Sequence, residues 1–201
     1  MVVDAGMRAY YQQRAREYDD WWLGRGLFAA RERPGWDAEV AALVAVVEAL
    51  PAVSVLDVAC GTGFLTRHLA GSVVALDQSS EMSAVARERL PHARVICADA
   101  VPLPFADAAF ERIFSSHFYG HLLAGERRSF LAEAARVGGE LVLVDSAMRP
   151  GIAAEQWEER VLDDGSRHRV YKRRFEAEQL AEELGGARVL HAGDWFVAVA
   201  R

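Results

Sequence analysis

Cysteine and lysine are scarce in this chain of 201 residues, which has two cysteines and a single lysine, Lys172. Cys60 and Cys97 each stand at the end of an apolar run, so a disulfide framework is not expected and a reducing, cytoplasmic compartment is predicted. No stretch approaches 18 apolar residues, and no basic start leads into a long apolar segment. Both absences argue against a membrane span and against secretion.

Basic charge is also in deficit, since the formal net charge is −6 at neutral pH. Because a phosphate backbone selects basic surfaces, nucleic acid is not expected as the main partner. Hydrophobic residues make up 52% of the chain, which suits a sheet covered on both faces. The length allows one domain with a sizeable core and leaves the oligomeric state open.

Internal repeats are absent, and strands alternate with helices instead. The β-rich runs are 53–58, 72–76, 93–98, 111–116 and 140–146, and helical patterns lie at 63–70, 80–90 and 125–136. This alternation predicts right-handed crossovers and a parallel sheet. After a helix at 176–184, the runs 187–192 and 194–201 are separated by Gly193 alone. That link is too short for a parallel crossover, so the last two strands should form an antiparallel hairpin.

The predicted fold is therefore α/β: a Rossmann-like, mostly parallel sheet of seven strands with an antiparallel C-terminal hairpin and helices on both faces. Helical patterns at 5–20 and 36–50 precede it and predict an N-terminal helical cap. We predict one domain over 1–201. Its parts are a cap (1–50), a ligand-binding core (51–146), an insertion (147–175), and a C-terminal helix with the hairpin (176–201).

The stretch VLDVACGTGFLTRHLA, residues 55–70, reads as a strand, a glycine turn and a helix. A dinucleotide site would have a third glycine where this chain has Thr66. Asp57, four residues before Gly61, would repel a pyrophosphate. It suits a ligand with positive charge, such as S-adenosylmethionine (SAM), which carries an ammonium and a sulfonium.

Three linked motifs carry a family resemblance. They are LDVACGTG (56–63), VVALDQS (73–79) and CADAVPLPFADAAFERI (97–113), with Glu111 where aspartate is commoner. In order and spacing they resemble the class I SAM-dependent methyltransferases, with Ala59 where many members have glycine. The resemblance covers most of residues 53–146. It implies SAM as cofactor and S-adenosylhomocysteine (SAH) as product.

The resemblance also implies roles for residues at the carboxyl ends of the strands. Gly61 and Gly63 would let the backbone approach the methionyl part of SAM, and Asp57 would orient its ammonium directly or through water. Asp77 would accept hydrogen bonds from the ribose hydroxyls, and Asp99 and the Ala100 N–H would face the adenine. The remaining predicted cofactor residues are Tyr10, Tyr18, Ala59, Gln78, Met82 and Ser115. The simpler alternatives are helix capping for Asp57, Asp77 and Asp99, and plain packing for Gln78 and Met82.

The segment SSHFYGHL (115–122) follows the fourth strand and should run beside the transferable methyl group. His117 and His121 are predicted as candidate general bases, and a structural or surface histidine is the alternative. Phe118 stands where a zinc site of the H-E-x-x-H type would have glutamate, so no metal is predicted. Ser115, Ser116 or Tyr119 are further candidates for contacts in this loop.

Two further segments bear on the acceptor. Tyr10, Arg14 and Tyr18 are four residues apart and suit one helix face of a lid over the ligand, or a helix packed on the sheet edge. The run RHRVYKRR (167–174) is predicted to be an exposed strand with solvated charges, or else a contact for an anionic substrate.

These observations predict methyl transfer from SAM to an oxygen, nitrogen or carbon atom of a small molecule. An RNA or protein methyltransferase is one alternative, which a contiguous basic surface beside the site would favour. A non-catalytic SAM-binding protein is the other, and a filled substrate pocket would favour it.

Overall fold

The computed structural model describes residues 5–201, so residues 1–4 of the predicted cap lie outside the described residues. The helices are α1 Ala5–Arg14, α2 Asp20–Leu23, α3 Trp36–Glu48, α4 Ser80–Arg89, α5 Ala124–Val137 and α6 Ala177–Glu183. The strands are β1 Val53–Val58, β2 Gly71–Asp77, β3 Arg94–Cys97, β4 Phe110–Ser116, β5 Gly138–Ser146, β6 Glu155–Val161, β7 Arg167–Arg173, β8 Arg188–Ala192 and β9 Phe196–Ala200. Within residues 5–201, no helix has the length and apolarity needed to cross a bilayer.

Seven strands form one sheet in the order β3-β2-β1-β4-β5-β9-β8. The first five are parallel, whereas β9 pairs antiparallel with both β5 and β8. The predicted Rossmann-like sheet with an antiparallel C-terminal hairpin is confirmed. The carboxyl ends of β1, β2, β4 and β5 therefore lie along one edge, where open α/β sheets bind ligands.

Alternation along the strands divides the core between the two faces of the sheet. Leu56 and Ile113 lie in the cluster that α5 and α6 cover, whereas their neighbours Val55 and Phe114 lie in the cluster that α3 covers. All four side chains are fully buried. Helix α4 covers Ala75 of β2 on the α3 face. Two buried faces explain why the strands are continuously apolar.

Two predicted helices differ from the structure. The helix predicted over 5–20 ends at Arg14, and turns over 15–19 lead into α2. The helix predicted over 63–70 is wrong, since the chain forms turns and only a short 3₁₀ segment, Thr66–His68. Gly63 has a left-handed φ of 79°, and the Thr66 hydroxyl donates to Asp57 at 2.6 Å. Both features hold this segment in turns.

The inserted residues form a separate two-stranded antiparallel sheet of β6 and β7, which contacts α1. The prediction of a solvated basic strand is wrong for Lys172, which is buried and whose Nζ lies 2.5 Å from Asp145 Oδ1. One face of β7 is turned inward against the main domain, so alternate residues of the basic run are covered.

Candidate functional site

The glycine turn after β1 depends on three residues with left-handed backbone conformations. Ala59 has a φ of 61°, Gly61 of 57° and Gly63 of 79°. For a residue with a Cβ this conformation costs roughly 1–2 kcal/mol, which gives a physical reason for glycine at the Ala59 position in related chains. A Cβ on Gly61 would lie 3.5 Å from the Tyr18 ring, and one on Gly63 would lie 2.8 Å from Leu90.

The Asp77 carboxylate at the end of β2 is tied to this turn by two backbone donors. The Gly61 N–H donates to Oδ2 at 2.9 Å, and the Ser79 N–H donates to Oδ1 at 2.8 Å. Burial raises the pKa of Asp77, although both hydrogen bonds oppose the rise. Each carboxylate oxygen has one protein donor and keeps a lone pair for a further donor.

A cavity of about 50 Å³, called here the smaller cavity, lies at this edge of the sheet. It brings together nine of the predicted site residues: Tyr18, Ala59, Gly61, Asp77, Gln78, Met82, Ala100, His117 and His121. Met82 is fully buried in its wall, and the Ser79 side chain caps the helix that carries it. The residues from β1 and β2 therefore meet as their positions at neighbouring strand ends require.

Three predicted residues lie behind the wall of the smaller cavity. Asp57 is buried under the turn, where Oδ2 accepts from Thr66 and Oδ1 has no hydrogen-bond partner within the described chain. Burial raises the pKa of Asp57 to about 7. Ser115 donates to the Val58 carbonyl at 2.8 Å, and Gly63 packs against Leu90. These residues shape the turn from beneath.

Two others point elsewhere. The Asp99 side chain is 45% exposed and forms an ion pair with Arg8 of α1. Tyr10 is buried between the Arg14 guanidinium and the His168 ring, and it lines a second cavity. Neither side chain lines the smaller cavity.

His117 follows β4 with a left-handed φ of 54°, which turns its ring into the site. The rings of Trp21 and Trp22 meet it edge-on at 5.0 and 5.2 Å. Its Nδ1 lies 4.0 Å from Asp145 Oδ1, whereas its buried Nε2 has no partner among residues 5–201. Burial lowers the pKa of His117 to about 3, and nearby Lys172, Arg14 and Arg160 act in the same direction. The imidazole is therefore neutral at physiological pH, with an unused nitrogen.

His121 has both ring nitrogens engaged. Nδ1 lies 2.6 Å from the Tyr171 carbonyl oxygen, which only accepts, so Nδ1 carries the proton. Nε2 then accepts from the Tyr11 hydroxyl at 2.8 Å. Burial lowers the pKa of His121 and raises that of Tyr11 to about 12. Of the two histidines predicted as bases, only His117 has a free acceptor nitrogen.

A larger cavity of about 790 Å³ adjoins the smaller one. Tyr11, Tyr18, His117 and His121 line both cavities and so form the junction between them. The larger cavity is walled by the segment from α1 to α3, by the residues after β5, and by the inserted hairpin. Arg14 lies in this wall, its guanidinium 5.5 Å from the Tyr10 ring centroid and 4.8 Å from that of Tyr18.

The N-terminal segment covers the smaller cavity through polar contacts to the core. Arg8 pairs with Asp99, and Gln12 donates to the Ser80 hydroxyl at 2.7 Å. Asp19 accepts from the Thr62 hydroxyl at 2.6 Å and pairs with Arg89. We refer to residues 5–19 as the cover.

Sequence reasoning missed several residues of the site. Met7, Tyr11, Leu76 and Phe118 line the smaller cavity, as does Ser116, which was named as a loop candidate, and Trp21 packs on His117. Tyr11 could have been predicted, because it is adjacent to Tyr10 in the predicted lid. Only the rotation of the helix about its axis decides which of the two rings faces the smaller cavity. Trp21 lies beyond the turns that interrupt the predicted helix, so no periodicity pointed to it.

Residues 56–143 match the family model described as Methyltransferase domain. The chain is 40% identical over 109 residues to the demethylmenaquinone methyltransferase of Renibacterium salmoninarum, an alignment that covers 51% of this chain and 45% of that protein. It is 44% identical over 93 residues to the dTDP-3-amino-3,6-dideoxy-alpha-D-glucopyranose N,N-dimethyltransferase of Streptomyces fradiae, covering 44% of this chain and 34% of that protein.

The chain spans about half the length of the first of these relatives. A solved structure matches it almost end to end. The DhpI–SAM–HEP complex is 26% identical, covers 98% of this chain and 96% of its own, and superposes with a TM-score of 0.76. The likeness therefore extends over the cap, the sheet and the inserted hairpin, beyond the segment that the family model matches.

Proposed function

We propose that the chain is a class I SAM-dependent methyltransferase that transfers a methyl group from SAM to a small-molecule acceptor; the match of residues 56–143 to the methyltransferase family model and the fold shared with the DhpI–SAM–HEP complex support this. The observation that carries this proposal is the pair of cavities joined at Tyr11, Tyr18, His117 and His121. One side holds the glycine turn and Asp77, as a SAM site requires. The other side is large enough for an acceptor, since small-molecule sites measure roughly 300–1,000 Å³.

The residues of the smaller cavity fit SAM. Asp77 offers one lone pair on each oxygen to the ribose hydroxyls, and the left-handed Gly61 lets backbone approach the methionyl part. In this proposal Gln78 and Met82, which line the same cavity, flank the adenine, and the Ala100 N–H faces a ring nitrogen. We assign Asp57, Ala59, Gly63 and Ser115 to holding the turn, and Tyr10 and Asp99 to seating the cover.

SAM would supply a methyl group bonded to positively charged sulfur. An acceptor nucleophile bonds to the methyl carbon in line as the carbon–sulfur bond breaks, and SAH leaves. The protein contributes alignment, exclusion of water and, for an acceptor with a proton to lose, a base. We assign that base to His117, whose imidazole is neutral and whose Nε2 has no partner among residues 5–201. Asp145 lies on the opposite side of the ring and steadies the imidazolium that results. His121 instead holds Tyr11 in place.

The rival functions differ in what they need from the larger cavity. A non-catalytic SAM-binding protein needs no acceptor space, and the cavity of about 790 Å³ beside the junction favours the enzyme. The relatives named for demethylmenaquinone and for an amino sugar favour a small acceptor over RNA or protein. A cytoplasmic location is part of the proposal and rests on the two free cysteines.

The test is to incubate the full chain with SAM labelled on the methyl group and with fractionated host metabolites. Mass spectrometry then identifies any compound that gains the label. Appearance of a labelled small molecule with the wild type, and its loss with Asp77→Ala, supports the proposal. Label found only on RNA or protein contradicts the small-molecule acceptor, and SAH binding without any labelled product supports the non-catalytic alternative.

A further inference from the structure

The wall of the larger cavity carries an excess of positive charge that the chain as a whole lacks. Seven of its lining residues are arginine or lysine and four are glutamate, whereas the whole chain has a net charge of −6. The composition of a negatively charged chain does not explain a cavity wall with an excess of positive charge. It points to the ligand that this wall faces.

These cations fall into two groups. Lys172, Arg160 and Arg174 each pair with a carboxylate of the protein: Lys172 with Asp145, and the two arginines with Glu158. Although burial raises the pKa of Glu158, Arg160 and Arg174 lower it to about 2. Asp145 and Glu158 offset two of these three positive charges. The Lys172–Asp145 pair joins the hairpin to β5, whereas the two Glu158 pairs lie within the hairpin and the residue that follows it.

The second group consists of Arg14, Arg31, Arg33 and Arg149. Within the described part of the chain, none of the four pairs with a carboxylate. Each guanidinium instead lies over an aromatic ring, at 4.8 Å on Tyr18, 4.5 Å on Phe28, 4.1 Å on Trp36 and 4.0 Å on Trp195 respectively. The rings fix the planes of the guanidinium groups without satisfying their charge.

Arg14 is the most informative member of this group. Its residue is only 6% exposed, and its guanidinium has no hydrogen-bond acceptor among residues 5–201. Its nitrogens are not among the fully buried atoms without a partner, so they can be reached from the larger cavity, where a cation that no carboxylate of residues 5–201 pairs favours an anion. Because Arg14 stacks on Tyr18, one of the junction residues, an anion bound to it lies beside the point where the two cavities meet.

We propose that the larger cavity recognises an oxyanion on the methyl acceptor, a carboxylate or a phosphoryl group, with Arg14 as its main ligand and Arg149 as a second. The planar guanidinium matches two oxygens of such a group. This inference rests on the proposed function and adds the chemical class of the acceptor to it. The remaining volume accommodates the part of the acceptor that carries the nucleophile.

The test uses the full chain saturated with SAH and titrated at constant ionic strength with two probes, inorganic phosphate and acetate. Ligand-observed NMR measures the dissociation constants. We expect at least one probe to bind, and Arg14→Gln to weaken it by roughly 10- to 100-fold, since bonds between charged groups are lost. The matched control is Arg16→Gln, an exposed arginine two residues on that does not line the cavity.

The two probes separate the sources of the anion. Binding of phosphate alone assigns a phosphoryl group, and binding of acetate alone assigns a carboxylate. No binding of either probe, or equal losses in Arg14→Gln and Arg16→Gln, overturns the inference. Arg149→Gln provides a second variant if Arg14→Gln does not fold, and it should weaken the same probe by about 10-fold.

An RNA decanucleotide serves as a competing ligand. Arg14-dependent binding of this RNA, tighter than that of phosphate, would replace the small acceptor with a nucleic acid. SAH affinity is measured on the wild type by calorimetry. Absence of SAH binding contradicts the proposed function itself, whereas SAH binding without binding of either oxyanion contradicts only the inference drawn here.

Discussion

The two cavities on either side of the junction differ in charge and in construction. The smaller cavity is formed mainly by strand ends of one sheet, and its buried charged side chain is the carboxylate of Asp77. The larger cavity is formed by three segments from distant parts of the chain, and unpaired arginines face it. The negative charge of Asp77 and the positive charges of the arginines thus lie on opposite sides of the four side chains that both cavities share. Such sorting suits a cationic methyl donor and an anionic acceptor, each held by its own wall and aligned at the junction.

The largest effect is expected from removing a side chain of the junction itself. Once an acceptor with a dissociable proton is known, His117→Ala should lower turnover by about 10²–10⁴-fold, because the unpartnered Nε2 that receives the proton is lost. SAH affinity should change little. Because the pKa of His117 is lowered to about 3, the wild-type rate should show no histidine titration between pH 5 and 8. Steady-state rates across this range measure both quantities.

The control for this prediction is His92→Ala, which removes an exposed histidine away from both cavities. A wild-type rate that falls through pH 6.5 would show that His117 titrates normally, against its burial. Full turnover in His117→Ala would leave alignment alone as the source of the rate. Either result would contradict the role of His117 as a neutral general base.

The contrast between the cavities also separates what the sequence could reveal from what it could not. Gly61 and Asp77 lie at the ends of neighbouring strands, so the alternation of strands and helices was enough to bring them together. Arg14 and Arg149 line the same cavity only in the tertiary structure, because 134 residues separate them in the sequence. Periodicity acts over a few residues and carries no information at that range.

Local errors had local causes. Tyr10, Arg14 and Tyr18, which helix periodicity puts on one face, all line the larger cavity, but only Tyr18 of the three also lines the smaller one, together with Tyr11. The turns over 15–19 could not be foreseen from the spacing of Tyr10, Arg14 and Tyr18, which fits an unbroken helix equally well. The antiparallel pairing of the last two strands, by contrast, followed from the length of the link between them.

The next effect concerns the carboxylate beneath the smaller cavity. Burial raises the pKa of Asp57 from 3.8 to about 7, so the folded state binds a proton that the unfolded state has lost. The free energy of unfolding should therefore fall as pH rises from about 4 to 7, by about 4 kcal/mol at most. Asp57→Asn should remove this fall. Urea denaturation at pH 5 and pH 8 measures it.

The matched control is Asp107→Asn, in which the replaced side chain is 81% exposed. The fall caused by Asp57 should persist in this variant. A bound ammonium group near Asp57 favours its ionised form, so SAH should stabilise the wild type more at pH 8 than it stabilises Asp57→Asn. Equal stabilisation of the two proteins would show that Asp57 acts only by holding the turn and exerts no field on the ligand.

A smaller effect is expected at the ribose contact. Asp77→Ala removes two acceptors, and SAH affinity should weaken by roughly 100-fold or more, since two hydrogen bonds to a charged group are together worth about 3 kcal/mol or more. The variant also leaves the Gly61 and Ser79 N–H groups without their acceptors, so its melting temperature should fall. Calorimetry below that temperature measures affinity, and Asp107→Ala is the control. Unchanged affinity would exclude the ribose contact.

The smallest expected effect concerns the cover, which must move if the smaller cavity of about 50 Å³ is to admit a ligand of SAM's size. Amide exchange over residues 5–22 should be slower with SAH than without it. Tyr11→Phe removes the hydroxyl that donates to His121 and should speed exchange of the free protein by about 2- to 10-fold, the loss of one hydrogen bond.

Tyr171→Phe provides the matched control for the cover, because its hydroxyl donates to Glu155 within the hairpin and not across the junction. Exchange over 5–22 should be the same in this variant as in the wild type. If exchange is equally slow with and without SAH, the cover is a permanently packed part of the domain. SAM must then enter from the side of the larger cavity, past Tyr18 and His117, and the two cavities would be filled in sequence through one opening.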